Sequence, residues 1–276
     1  CALDIIGASF VREVENGEVV SIEDKKLKSI KPFPKQKPRP CIFEYIYFAR
    51  PDSLINGKCA YEFRKNFGVQ LAKENDIKAD IIVPVPDSGV PAAIGFAEES
   101  KIRFEFGLIR NHYVGRTFIE PSQKIRSLGV KLKLSTTKSL VKDKSVLLID
   151  DSIVRGTTCS KIVKMLYDAG AKEVHVRIAC PEIRYPDFYG VDMPTKEELL
   201  ANGKNLEEMK NYINAKSLKF LSINGLYKAL GKESRNDLYP QFSDHYFTGD
   251  YPVKPTDAQS QLNVTQLSLL SSKSNN

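Results

Sequence analysis

Residues 146–158 read Val146-Leu-Leu-Ile-Asp-Asp-Ser-Ile-Val-Arg-Gly-Thr-Thr158. Four consecutive apolar residues predict a buried central strand ending at Ile149. Two adjacent acids, Asp150 and Asp151, follow at its carboxyl end, where open α/β sheets bind their ligands. Adjacent carboxylates repel, so this placement is costly unless a cation or hydroxyl groups answer them. A sugar diol and a hydrated Mg²⁺ would do so. Ser152, Ile153, Val154 and Arg155 then lead to Gly156, which lets a ligand approach the backbone closely. Thr157 and Thr158 add hydroxyls where a helix begins. The free amides of a first helical turn, at the positive end of the helix dipole, cradle phosphate. Acids for a diol and amides for a phosphate one short turn later describe a ribose 5-phosphate site. The run lacks the Gly-Lys-Ser/Thr of a nucleotide-triphosphate loop.

Outward from this run, short apolar strands alternate with helical patterns. Ile81–Val85 and Glu173–Ala179 read as buried strands, with Phe104–Ile109 and Leu218–Ile223 as further ones. Phe63, Phe67 and Leu71 lie at helical spacing within Ala60–Glu74. Ala92–Glu99, residues 158–168, residues 196–213 behind a Thr195 cap, and Gly225–Leu230 also read as helical, with Gly170 at a helix end. The alternation predicts an α/β fold: a mainly parallel sheet flanked by helices. Ile42–Ala49 is an aromatic and β-branched run, read as strand. Residues 2–6, 9–14 and 18–22 read as strand pieces, with Asn16-Gly17 as a hairpin turn. Prolines at 32, 34, 38 and 40 place a boundary in the basic stretch 26–40. The expected organisation is a short β piece and linker over 1–38, one main domain over 39–250, and a polar, disordered tail over 251–276.

The 41 basic and 34 acidic residues give a net charge of +7, which suits a polyanionic small substrate as well as a solvated surface. Neither zinc-finger spacing nor an aromatic RNA-binding signature is present, so nucleic acid is not an expected partner. No run reaches the roughly 18 apolar residues of a membrane helix, and no secretory signal is recognised. Five cysteines, the nearest two being Cys41 and Cys59, support neither a disulfide framework nor a Cys-x-x-Cys metal site. Reduced thiols in a cytoplasmic protein are the expectation.

The run 146–158 resembles the 5-phosphoribosyl-1-pyrophosphate (PRPP) motif of type I phosphoribosyltransferases. Four further stretches narrow the resemblance to the glutamine PRPP amidotransferases of purine synthesis: Cys41–Ser53, Val83–Ser88, Arg110–Ile119 and Pro181–Met193. The resemblance implies a type I phosphoribosyltransferase fold with Asp150–Thr158 on PRPP. It implies Pro86, Asp87 and Ser88 on the pyrophosphate side, and Mg²⁺ at Ser88, Asp150 and Asp151. It implies a closing segment over Arg110–Ser122, in which Arg110, Tyr113, Gly115 and Arg116 are candidates. That segment would exclude water from a reactive sugar. Relatives usually carry Lys where Arg110 stands and Arg where His112 stands. Some bind a four-iron cluster through cysteines. Asp187 and Ser243–Phe247 fill that region here, and no iron–sulfur cluster is expected.

The family is bifunctional, and a glutaminase half uses an N-terminal cysteine as nucleophile. Cys1 is not expected to play that part, because the residues after it resemble the end of a glutaminase domain. The implied reaction is therefore ammonia-dependent amination of PRPP to 5-phosphoribosylamine with release of pyrophosphate. Ammonia would come from a glutaminase domain or partner. The alternative is a PRPP-binding regulatory module without turnover. Purine nucleotides as inhibitors and a homo-oligomer are further implications of the resemblance.

Overall fold

A computed structural model describes residues 2–111 and 133–253. In chain order the elements are α1 (Ala2–Ile5), β1 (Val19–Glu23), β2 (Lys26–Ile30), a π-helical turn (Glu44–Phe48), β3 (Leu54–Ile55), β4 (Lys58–Cys59), α2 (Ala60–Glu74), β5 (Ile81–Pro84), α3 (Val90–Ser100), β6 (Leu108–Arg110), β7 (Leu134–Thr136), α4 (Lys138–Val141), β8 (Ser145–Asp150), α5 (Thr157–Asp168), β9 (Glu173–Ile178), a 3₁₀ turn (Lys196–Glu198), α6 (Leu206–Tyr212), β10 (Ser217–Phe220), α7 (Ile223–Ala229) and α8 (His245–Thr248).

The central sheet is wholly parallel, in the order β10-β9-β8-β5, with Val83 opposite Leu148 and Asp150 opposite Ile178. Leu147, Leu148, Ile149, Val174, Val176 and Ile178 have no exposed surface, which is why these strands read as continuous apolar runs. Helix α3 packs on β5 and β8, α2 on α3, α7 on α2, α5 on β9 and α6 on β10. The α2–α3 crossing is unusually close. A Cβ on Gly68 would stand 1.8 Å from the Ala92 carbonyl oxygen, and one on Gly95 1.9 Å from that of Lys65. The parallel, helix-flanked architecture predicted from the sequence is the one observed.

Several local expectations are corrected. Residues 42–49 form no strand; Glu44–Phe48 winds into the π-helical turn instead. Tyr45 packs inward, edge-on to Phe63 and Phe242, and Phe43 just before the turn packs edge-on to Tyr246, while Tyr47 and Phe48 stay exposed. Tertiary packing overrides the β-propensity of the run. The hairpin is shifted as well. Strands β1 and β2 turn through Asp24-Lys25, both at positive φ, as a two-residue primed turn requires. Asn16-Gly17 turns the chain before β1, and a Cβ on Gly17 would stand 3.1 Å from the Phe33 carbonyl oxygen. Residues 2–5 are helical, 9–14 carry no regular element, and the basic stretch 26–40 opens with a strand. Of Phe104–Ile109, only a bridge from Phe104 to Ile82 and the rungs of β6 on β7 form. The helix expected over 196–213 is interrupted over residues 199–205. Its halves are capped separately, by Thr195 and by Asn205, each with a glutamate three residues on.

Residues 39–43 meet residues 242–250. Cys41 bridges Ser243, the Ile42 amide donates to the Ser243 carbonyl, and the Ser243 amide donates to the Pro40 carbonyl. Arg39 adds an ion pair to Asp250 at 3.4 Å.

Candidate functional site

Asp150 ends β8 and Asp151 follows it, both buried, at 9% and 6% exposure. The Asp151 amide donates to Asp150 Oδ1 at 2.9 Å, and the Ser152 hydroxyl donates to Asp151 Oδ1. Burial pushes the Asp150 carboxyl well above the ordinary carboxylate range, and the charge of Asp151 pushes it further. Burial also raises Asp151, against the pull of the Ser152 and Ser88 hydroxyls and the Arg64 charge. The two acids therefore differ, with Asp151 the better stabilised as an anion.

After this pair the chain swings through Ile153, Val154 and Arg155 to Gly156, whose φ of 76° only glycine adopts freely. A Cβ there would also lie 2.7 Å from Leu200 Cδ2. The loop is held from behind: the Leu200 amide donates to the Val154 carbonyl at 2.8 Å, and Arg155 pairs with Glu198 at 3.3 Å. Helix α5 then begins at Thr157 without a capping side chain from Gly156, and Thr157 and Thr158 are exposed. The first amides of such a helix suit an anion.

The second wall is the loop between β5 and α3. The Val85 amide donates to the Ile149 carbonyl at 2.8 Å, and the Gly89 amide to the Val85 carbonyl at 2.9 Å. A Cβ on Gly89 would lie 2.5 Å from the Ile149 oxygen, so loop and strand touch backbone to backbone. The Pro86–Asp87 peptide is cis. Ser88 turns toward Asp151, and the two share one small cavity with Arg64 and Ile46. Asp87 turns outward and pairs with Arg110 on β6, Nη1 to Oδ2 at 2.5 Å. The structure thus gathers Pro86–Ser88, Asp150–Thr158 and Arg110 at one end of the sheet. Tyr113, Gly115 and Arg116, with the rest of Arg110–Ser122 beyond Asn111, lie outside the described residues, as does the tail beyond Val253.

Arg64 is the residue that the sequence reading passed over. It is 5% exposed on α2 and donates from Nε to the Tyr45 carbonyl at 3.0 Å and from Nη2 to that of Ala49 at 2.7 Å. Its place on the apolar face, beside Phe63 and Phe67, was the available signal: a cation there must answer buried acceptors.

The family model described as phosphoribosyl transferase domain matches residues 67–187. The amidophosphoribosyltransferase of Rhizobium etli is 57% identical over 99% of this chain and 56% of its own length. That of Bacillus subtilis is 48% identical over 92% of the chain and 53% of its own. This chain corresponds to the phosphoribosyltransferase portion of the amidophosphoribosyltransferases it matches. A solved structure of the B. subtilis glutamine PRPP amidotransferase, complexed with ADP and GMP, superposes with a TM-score of 0.82 at 48% identity. It covers 91% of this chain, and the chain covers 55% of it. The chain spans about half the length of the amidophosphoribosyltransferases it matches.

Asp187, Ser243 and His245 form a buried polar network apart from the cradle. The His245 ring lies 2.8 Å from Asp187 Oδ1 through Nε2 and 3.0 Å from the Ser243 hydroxyl through Nδ1. Burial lowers the pKa of His245, against the pull of Asp187. Burial works to raise Asp187, but the amides of Val191 and Tyr189 and the His245 ring outweigh it and hold it low. A neutral imidazole donating from Nε2 to an ionised Asp187, with Ser243 donating to Nδ1, satisfies all three groups. Cys41 and the Tyr246 hydroxyl lie 3.3 Å apart beside them.

Proposed function

We propose that the chain carries the PRPP-dependent half of an amidophosphoribosyltransferase, with ammonia displacing pyrophosphate from C1 of PRPP. The products are 5-phosphoribosylamine and pyrophosphate. The observation that supports this most is the spacing at the end of β8. Two buried acids stand one short glycine turn before a helix start without a side-chain cap. Asp150 and Asp151 take the ribose hydroxyls. The amides and hydroxyls of Ser152–Thr158 take the 5-phosphate. Pro86–Ser88 and Arg110 face the pyrophosphate, and Tyr113, Gly115 and Arg116 belong to the same reading.

Mg²⁺ fits Ser88, Asp150 and Asp151, a set of hard oxygen donors in which the carboxyl of Asp150 is raised by burial and by its acidic neighbour. No group of three or more acidic, histidine or cysteine side chains among the described residues encloses a metal. An ion here would complete its shell with water and substrate oxygens, as Mg²⁺ prefers. When bound, it supplies neutralisation of the departing pyrophosphate charge. The protein's own share is to orient the sugar, withdraw it from water and place the 5-phosphate so that C1 faces the nucleophile. Bond breaking runs ahead of bond making, with positive charge on the ring as in glycoside chemistry. Neutral ammonia needs no side-chain base to attack.

The reading extends to purine nucleotides as inhibitors, supported by the ADP and GMP complexed with the B. subtilis relative. It extends to a homo-oligomer, which rests on the family resemblance, and to a cytoplasmic location and the 1–38, 39–250 and 251–276 division, which rest on the sequence. Among the described residues no helix is long and apolar enough to cross a membrane.

The test is pyrophosphate release and amine trapping from PRPP, Mg²⁺ and ammonium. Release that needs all three supports the reading. Tight PRPP binding without release would instead make the chain a regulatory module.

A further inference from the structure

We infer that Asp87 is an internal competitor for the pyrophosphate end of the site, sharing Arg110 with the ligand and speeding pyrophosphate release. The inference rests on the function proposed for the site and assigns Asp87 a role that its neighbours do not share.

The loop that carries Asp87 is pinned on both sides. Val85 and Gly89 are hydrogen-bonded to Ile149 and Val85, and the Val90 amide donates to the Asp87 carbonyl at 3.3 Å. Ser88 points inward to the cavity beside Asp151. The Asp87 carboxylate points the other way and is 58% exposed. It therefore stands at the mouth of the site and not in its acidic floor. Arg110 is placed equally firmly. It forms the last rung of the β6–β7 ribbon opposite Leu134, and the Asn111 amide donates to the Lys133 carbonyl at 2.7 Å. Its guanidinium, 46% exposed, reaches across to Asp87 Oδ2 at 2.5 Å.

A carboxylate at the mouth of a pyrophosphate site repels the ligand and engages a cation that the ligand needs. An exposed pair of this kind is weak, so an incoming polyanion displaces it readily. After bond cleavage the same carboxylate can retake Arg110 and weaken the hold on the leaving group. Ser88 could not do this: it is neutral and faces the floor. Asp150 and Asp151 could not either, since they are buried at the end of β8.

The experiment is calorimetric titration of the 276-residue chain with pyrophosphate in excess Mg²⁺. The proteins are wild type, Asp87→Asn, Asp87→Ser, Arg110→Gln and the Asp87→Asn/Arg110→Gln double variant. Both Asp87 variants should bind pyrophosphate more tightly, by about 2- to 5-fold, the scale of one exposed charge pair. In the Arg110→Gln background the gain from Asp87→Asn should shrink to less than about 2-fold, because the shared cation is gone. Turnover with ammonium should then show a lower KM for PRPP and stronger product inhibition by pyrophosphate. Weaker binding in the Asp87 variants would make Asp87 a ligand group and overturn the inference. So would unchanged binding, or an equal gain in both backgrounds. A wild-type chain that folds but binds neither PRPP nor pyrophosphate would instead overturn the reading of the site itself.

Discussion

Gly68 on α2 and Gly95 on α3 each accept a backbone carbonyl of the other helix where a side chain would stand. The Ala92 oxygen lies 1.8 Å from the Cβ position of Gly68, and the Lys65 oxygen 1.9 Å from that of Gly95. The crossing brings Arg64, one turn before Gly68, against the loop that ends at Gly89. Two walls of the candidate site are therefore spaced by hydrogen atoms.

Gly68→Ala should force the two helices apart, because the obstructing atom is backbone and cannot rotate away. The expected loss is about 2–3 kcal/mol, as for overpacking in a tight core, with PRPP affinity falling as well. Urea unfolding gives the first quantity and calorimetry the second. A stability change below about 0.5 kcal/mol would mean that the helices can separate freely.

Arg64→Met should keep the volume of the side chain and strip the turn at Glu44–Phe48 of its donors. The carbonyls of Tyr45 and Ala49 lose the guanidinium, and that of Glu44 loses a longer contact at 3.4 Å. Buried acceptors left without a donor cost about 1–3 kcal/mol each. Denaturant melts of Arg64→Met and Arg64→Lys check this. The lysine variant should recover part of the loss, since it keeps the charge near Asp151 but not the forked geometry.

Asp150→Asn should stabilise the ligand-free chain while abolishing PRPP binding. The sign follows from the raised pKa of both acids. A carboxyl whose pKa is higher folded than unfolded favours folding at low pH and loses that advantage as pH rises above the unfolded value of about 3.9. At pH 7 the pair opposes folding, and the amide removes one charge without changing shape. A rise in thermal midpoint of at least about 2 °C is expected, with calorimetry showing no heat on PRPP addition. A lower midpoint would refute the electrostatic account.

His245 points the other way in pH. Its pKa is lowered by burial, so its contribution is present above the unfolded value of about 6.5 and is lost as pH falls through the folded one. Asp187, also held low, keeps its charge over that window. The wild-type thermal midpoint should therefore fall between about pH 6.5 and pH 5. His245→Gln should be less stable at pH 7 and flatter over the same window. A residual slope is expected from His175, which burial also lowers. An unchanged slope in the variant would remove His245 from the account.

The sheet and the cradle were legible because their residues answer to local rules. Val146–Ile149 is apolar on both faces, and Gly156 stands where a loop must turn close to a helix start. Ala60–Glu74 showed its helical spacing without ambiguity. The turn at Glu44–Phe48 was not legible, because nothing in its aromatic run announces that a buried arginine 20 residues on will take its carbonyls. The hairpin was misplaced for a related reason. Asp24-Lys25 makes a tight turn with residues that only tolerate positive φ, while the stronger Asn-Gly signal serves a simple change of direction. The outward pairing of Asp87 with Arg110 joins positions 23 apart and depends on how a ribbon sits beside a loop, which no periodicity encodes.

The stitching of residues 39–43 to residues 242–250 gives the phosphoribosyltransferase unit the topology of a clasped ring. Cys41 and Tyr246, 205 positions apart, lie side by side. Closing so long a loop carries an entropic cost, which the sheet offsets by holding both ends near one another. A ring whose ends adjoin can also be opened elsewhere. Joining residue 250 to residue 39 through a short linker and cutting at an exposed turn, such as Asn56-Gly57, would leave the order β10-β9-β8-β5 untouched. The acids, the cradle and the pyrophosphate loop would then sit in a circular permutant whose new termini emerge at the former Asn56-Gly57 turn.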